Sequence, residues 1–155
     1  HRGIIVGVYT TNSVEACQYV LEKCKANIVI VDDAKQMEKI HAIKDKLPHL
    51  KAVIQTIAPY APYVKRADGY YRWSELEAMK TDDVEEEYQK RAKSIVANEC
   101  CCQVFTSGTT GQPKGAMLSH DNFSWDAYSF TVYVDNLQMG KEVLVSYLPR
   151  CCSNH

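Results

Sequence analysis

What most constrains this chain is the alternation of apolar runs and amphipathic stretches along residues 3–57. Residues 3–9 are β-rich, and Thr10-Thr11-Asn12 ends them. Asn12, with Glu15 three residues on, has the spacing of a capping box. Val14, Cys17, Val20, Leu21 and Cys24 then recur at helical spacing. Ile28-Val29-Ile30-Val31 is a continuous apolar run, the pattern of a strand covered on both faces. Met37, Ile40, Ile43 and Leu47 mark a second amphipathic helix stopped by Pro48, and residues 50–57 are again β-rich. A β-α-β-α-β order predicts parallel strands joined by right-handed crossovers. The expected class is therefore α/β, a mostly parallel sheet with flanking helices.

Residues 58–71 differ in kind, with Pro59, Pro62, Gly69 and four tyrosines (Tyr60, Tyr63, Tyr70, Tyr71). Tyrosines at such spacing pack a loop onto its domain. A short helical turn is predicted from Trp73 to Met79, then a helix from Asp82 to about Ala97. Its acids (Glu85, Glu86, Glu87) precede its bases (Lys90, Arg91, Lys93), the order that the helix dipole favours on a solvated face. No internal repeat or clear domain boundary is visible, and 155 residues suit one domain. With 18 basic against 19 acidic residues the net charge is −1, which argues against a nucleic-acid partner. No apolar run is long enough to span a bilayer. The seven cysteines (Cys17, Cys24, Cys100, Cys101, Cys102, Cys151, Cys152) lack zinc-ligand spacing and read as reduced, small apolar residues.

Chemistry concentrates between Thr106 and Gly115. Apolar residues lead in, a loop of Ser107, Gly108, Thr109, Thr110, Gly111, Gln112 and Pro113 follows, and Lys114 and Gly115 open onto Ala116-Met117-Leu118, which resumes a strand. Gly108, Gly111 and Gly115 are expected to let backbone amides converge on one point, through positive φ and close approach. Convergent amides make an anion nest. Ser107, Thr109 and Thr110 add hydroxyl donors on short side chains, and Lys114 adds a positive charge. Those are the requirements for holding a polyphosphate. The run is not a Walker A loop, because Pro113 stands where the second glycine is needed and Gly115 where Ser or Thr would meet Mg²⁺. A plain Gly/Ser/Thr linker is the competing explanation.

Thr-Ser-Gly-Thr-Thr-Gly-x-Pro-Lys-Gly resembles the signature phosphate loop of adenylate-forming (AMP-binding) enzymes. At average residue usage, its fixed positions match by chance with a probability of roughly 10⁻¹¹ per start position. The likeness runs from about Gly3 to Pro149. Gly7-Val8-Tyr9-Thr10-Thr11-Asn12-Ser13, residues 26–33, residues 114–122 and Val145-Ser146-Tyr147-Leu148-Pro149 together most resemble long-chain fatty-acid–CoA ligases of the bubblegum type.

The resemblance implies that residues 1–155 are part of the N-terminal adenylation domain, with the small C-terminal domain absent; the missing initiator Met likewise points to a longer parent. It implies a two-step reaction in which ATP and a fatty acid give acyl-adenylate and diphosphate, and CoA then displaces AMP. ATP, Mg²⁺ and CoA are the implied cofactors and substrates. Thr106, Ser107, Gly108, Thr109, Thr110, Gly111, Lys114 and Gly115 would bind nucleotide, with no catalytic residue or metal ligand assigned. The expected location is the cytoplasm, with peripheral attachment to the endoplasmic reticulum considered beside it. One departure stands out: the family continues Tyr-Leu-Pro with Leu-Ser-His, whereas this chain reads Arg150-Cys151-Cys152-Ser153-Asn154-His155, as a truncated or frame-shifted end would.

Four charge-assisted contacts give about 6–12 kcal/mol gross. Association costs about 4–15 kcal/mol, so these residues alone are expected to bind ATP no better than millimolar and to be inactive. Another adenylate-forming acid ligase and a non-catalytic nucleotide-binding remnant are the alternatives.

Overall fold

The β-α-β-α-β pattern is realised, but its first strand pairs elsewhere. The structure, a computed structural model, describes residues 3–79, 82–106, 111–134 and 140–141. The expectations on Val145–Pro149, on Cys151 and Cys152 and on the Arg150–His155 end fall outside them. In chain order the elements are β1 (Ile5–Val6), α1 (Val14–Lys23), β2 (Ile28–Val31), α2 (Ala34–His41), a 3₁₀ turn (Lys44–Lys46), β3 (Ala52–Gln55), a second 3₁₀ turn (Arg66–Asp68), β4 (Tyr70–Arg72), α3 (Trp73–Glu77), α4 (Asp82–Lys93), β5 (Cys100–Thr106), β6 (Lys114–Ser119) and α5 (His120–Tyr133). Two compact units result: Val8–Glu86, and a second made of 1–7 with 87–155.

The Val8–Glu86 unit holds a parallel sheet in the order β2-β3-β4. Its core joins Cys17 and Leu21 of α1, Met37 and Ile40 of α2, Ile43 and Leu47 beyond it, and Val31, Val53, Val64 and Tyr70. The predicted helical stripe Met37, Ile40, Ile43, Leu47 is therefore core, although the α-helix ends at His41 and a 3₁₀ turn carries the chain on towards Pro48. Ser13, not Asn12, caps α1: its backbone is extended and its side chain accepts from Ala16 N. The other end of α1 closes without glycine. Lys25 takes φ +51°, Ala26 N donates to Leu21 O and Lys25 N to Glu22 O, the paired bonds of a Schellman motif.

The sheet is not covered on both faces as the apolar run predicted. Val29 and Val31 face the helices, whereas Ile28 and Ile30 stay 58% and 57% exposed. Side chains alternate along a strand, and α1 and α2 cover one side only. The tyrosine-rich segment does pack down. Tyr63 stacks on His41 with ring centroids 4.2 Å apart, and buried Tyr70 meets His41 Nδ1 through its hydroxyl at 2.6 Å. Gln55, fully buried, ties the segment to β3: Nε2 donates to Ile57 O (2.7 Å) and Pro59 O (2.9 Å), and Oε1 accepts from Ala61 N (3.2 Å). The Glu75 carboxylate accepts from Arg72 N at the start of α3.

The second unit contains a sheet in the order β1-β5-β6. β1 runs parallel to β5, with Ile5 opposite Cys102, while β6 returns antiparallel. Three of the four described pairings are parallel, as the α/β expectation requires. α4 ends at Lys93 rather than near Ala97, and its Glu87–Arg91 pair is exposed at 2.6 Å. Ser119 and Asn122 form a reciprocal capping box at the start of α5. The aromatic residues of α5 do not form a buried face. Trp125 is 69% and Tyr133 85% exposed, with Phe123, Tyr128 and Phe130 also exposed. At 3.6 residues per turn positions 123, 125, 128, 130 and 133 spread around the helix, so no single face could bury them together.

Candidate functional site

The predicted loop joins the two strands of an antiparallel hairpin. β5 brings the chain to Thr106, and β6 leaves from Lys114, directly opposite it in the ladder. Directly opposed residues hold their Cβ atoms about 4.5–5.5 Å apart on one face of the sheet. The threonine hydroxyl and the lysine chain thus leave the hairpin mouth on the same side, both exposed. Among the described residues Lys114 makes no ion pair. Ser107, Gly108, Thr109 and Thr110, four of the eight predicted site residues, lie outside the described residues.

The glycines divide by role. Gly111 has φ +136°, a conformation side chains rarely adopt, and a Cβ there would meet nothing within 4 Å. Backbone freedom is what that position requires, as predicted. Gly115 does not have the positive φ expected of it, because it sits inside β6. Its requirement is space: a Cβ built there lies 3.2 Å from Cε2 and Cζ of Phe105. Phe105 had looked like a mere lead-in residue. Its partnership with Gly115 depends on strand register, which no local pattern reveals.

Upstream, β5 carries the three consecutive cysteines. The pairing shifts between Cys100, opposite Ser119, and Cys102, opposite Leu118, leaving Cys101 as a bulge. The Cys101 thiol donates to Leu118 O at 3.5 Å. Burial, with the neighbouring Cys101 and Cys100 thiols, pushes the Cys102 thiol up from its ordinary value. The five described cysteines are free thiols. Among the described residues no three His, Cys, Asp or Glu side chains come together to hold a metal. Nor is any described helix long and apolar enough to cross a membrane. His120, beyond β6, starts α5 and donates its backbone N–H to Glu99 O.

A hairpin mouth presenting an ammonium, a hydroxyl and a glycine in an unusual backbone conformation can hold a multiply charged anion. The sequence profile that describes the AMP-binding enzyme matches residues 1–154. The chain belongs to the AMP-binding enzyme family. It is 45% identical over 147 residues to the long-chain-fatty-acid–CoA ligase heimdall of Drosophila melanogaster, covering 94% of this chain and 22% of that protein. It is 44% identical over 149 residues to the long-chain-fatty-acid–CoA ligase ACSBG1 of Homo sapiens, covering 95% of this chain and 20% of the relative. The AMP-binding chain thus spans about a fifth of the length of the curated relatives it matches.

Among solved structures, the anthranilate CoA ligase AuaEII in complex with anthranoyl-AMP superposes with a TM-score of 0.65 at 22% identity, over 84% of this chain and 23% of that one. ATP-bound MatB from Rhodopseudomonas palustris gives 0.57 at 23% identity, over 84% and 22%. At that identity these establish the fold of the AMP-binding chain.

Proposed function

We propose that the chain is the phosphate-binding part of a long-chain fatty-acid–CoA ligase, with the 106–115 loop holding the β- and γ-phosphates of ATP. The observation that carries this is the hairpin register, which sets Lys114 opposite Thr106 at the ends of a loop with the family's phosphate-binding sequence. Relatives at 42–46% identity named as long-chain-fatty-acid–CoA ligases support the substrate class.

The residues act on charge. A fatty-acid carboxylate oxygen attacks the ATP α-phosphorus, the bond to the bridging oxygen breaks, and pyrophosphate leaves. Negative charge accumulates on the departing group. The Lys114 ammonium, the hydroxyls of Thr106, Ser107, Thr109 and Thr110, and the amides near Gly108 and Gly111 are there to meet it. Donors already aimed at the place where charge develops need no reorganisation during the step. The CoA thiol then attacks the acyl carbonyl and AMP departs. Mg²⁺, when bound with ATP, would offset phosphate charge. Free cysteines fit a reducing cytoplasm. A substrate that partitions into bilayers fits work at a membrane surface such as the endoplasmic reticulum.

Assay of the full-length protein with ATP, Mg²⁺, oleate and CoA tests the proposal. Loss of one charge-assisted contact, about 1.5–3 kcal/mol, predicts that Lys114→Ala lowers kcat/KM for ATP roughly 10- to 150-fold. An undiminished rate with Ser107, Thr109 and Lys114 all replaced by alanine would refute it.

A further inference from the structure

We propose that Phe105 is a positioning residue for the phosphate loop, its ring locking the register of the β5–β6 hairpin across Gly115. The proposal rests on the assignment of the loop to ATP phosphates.

Cross-strand partners share a face and neighbours alternate. Thr106 and Lys114 therefore lie on one side of the hairpin, and Phe105 and Gly115 on the other. The outer edge of the Phe105 ring covers the bare Cα of Gly115: a Cβ there would stand 3.2 Å from two ring atoms and 3.6 Å from a third. That is tighter than ordinary van der Waals contact, so the ring occupies space that every other residue type would claim.

Gly115 is the one glycine in β6. A slip of one residue would put Phe105 opposite Lys114 or Ala116, both of which carry a Cβ that would crowd a ring placed as this one is. The same slip would turn the lysine to the opposite face of the sheet, because a one-residue shift reverses every side chain. The Phe105–Gly115 pair thus discriminates against the registers in which Lys114 points away from the mouth. Phe105 itself points away from the ligand side and acts only through the placement of Lys114 and the loop. A displacement of about 1 Å at a positioned group can cost ~10²-fold in rate, so small losses of register are readable in kinetics.

The test is a double-mutant cycle in the full-length ligase, comparing Phe105→Ala, Gly115→Ala and both together, with Phe105→Tyr as the conservative control. KM for ATP, kcat and the thermal midpoint are measured for each. Phe105→Ala is expected to raise KM for ATP about tenfold, and Phe105→Tyr to stay within about twofold of the parent. Gly115→Ala is expected to be harmful while the ring is present. The double variant is expected to be no worse than Phe105→Ala, because the three atoms nearest the added methyl all belong to the ring that is then gone.

Multiplying effects in the double variant would overturn the proposal, as would a Phe105→Ala enzyme with a lowered midpoint but unchanged KM for ATP. Should Phe105→Ala fail to fold, Phe105→Leu carries the same cycle with the same outcomes. Lys114→Ala, assayed alongside, separates the two levels of argument. If it raises KM for ATP and Phe105→Ala does not, the register key alone is wrong. If Lys114→Ala also leaves KM unchanged, the phosphate assignment fails and the proposal with it.

Discussion

Replacing Gln55 by leucine removes three hydrogen bonds from a side chain with no solvent exposure. The amide of Ala61, a buried residue, loses its Oε1 partner at 3.2 Å. An unsatisfied buried donor costs about 1–3 kcal/mol. Ile57 and Pro59 are exposed residues whose carbonyls can rehydrate, so each lost bond there removes only about 0.5–1.5 kcal/mol. Burying a leucine side chain returns roughly 1.5 kcal/mol. The net loss is about 0.5–4.5 kcal/mol, and at 2–4 °C per kcal/mol for a chain of this size the midpoint should fall roughly 1–18 °C. Urea and thermal denaturation followed by circular dichroism measure both quantities. A loss below about 0.5 kcal/mol would mean that the Gln55 network contributes nothing net. A companion variant, Gln55→Glu, keeps the acceptor but sets a carboxyl group beside the Ile57 and Pro59 carbonyl oxygens. Burial and those oxygens disfavour its charged form, so its folded pKa lies above the unfolded one. Its stability should accordingly match the parent best at low pH and be lost as pH rises through the raised value; a pH-independent deficit would refute the reasoning.

Burial raises the thiol pKa values of Cys17 and Cys102, leaving less thiolate at pH 8 than in an unfolded chain. Iodoacetamide labelling followed by mass spectrometry should find both slower than in urea, with the gap closing as pH rises; equal rates at pH 8 would contradict the burial. Lys25 holds a left-handed conformation at φ +51° that glycine adopts without the side-chain penalty. Lys25→Gly should stabilise the protein by about 0.5–1 kcal/mol after the extra unfolded-state entropy is subtracted, as read from urea midpoints.

Much of the helix-and-strand order was legible because burial imposes a period. The stripe Met37, Ile40, Ile43, Leu47 is core, and Tyr63 and Tyr70 pack where a tyrosine-rich loop should. Caps were less legible. Asn12 and Ser13 both carry short polar side chains, and it is the extended backbone at Ser13 (φ −66°, ψ 167°) that makes it the cap. Exposure was harder still, since apolar residues announce a tendency and not a cover. Ile28 and Ile30 remain exposed although their continuous apolar run suggested cover on both faces. Within the candidate site the residue types of Thr106, Gly111 and Lys114 announced themselves. The ring over Gly115 did not, because it follows from pairing between strands and from no spacing along one.

The pairing of β1 with β5 has a consequence for how this chain is made. Ile5 and Cys102 lie about a hundred residues apart, so bringing them together costs about 4 kcal/mol in chain-closure entropy. Synthesis delivers the Val8–Glu86 unit between the two partners, so β1 stays without its neighbour until β5 has emerged. Deleting the first seven residues would strip β5 of its parallel neighbour and bare a row of backbone donors and acceptors on the strand that leads into the loop. Such an open flank is an invitation to self-association. Two residues, Ile5 and Val6, would thus prove to be the selvedge of β5.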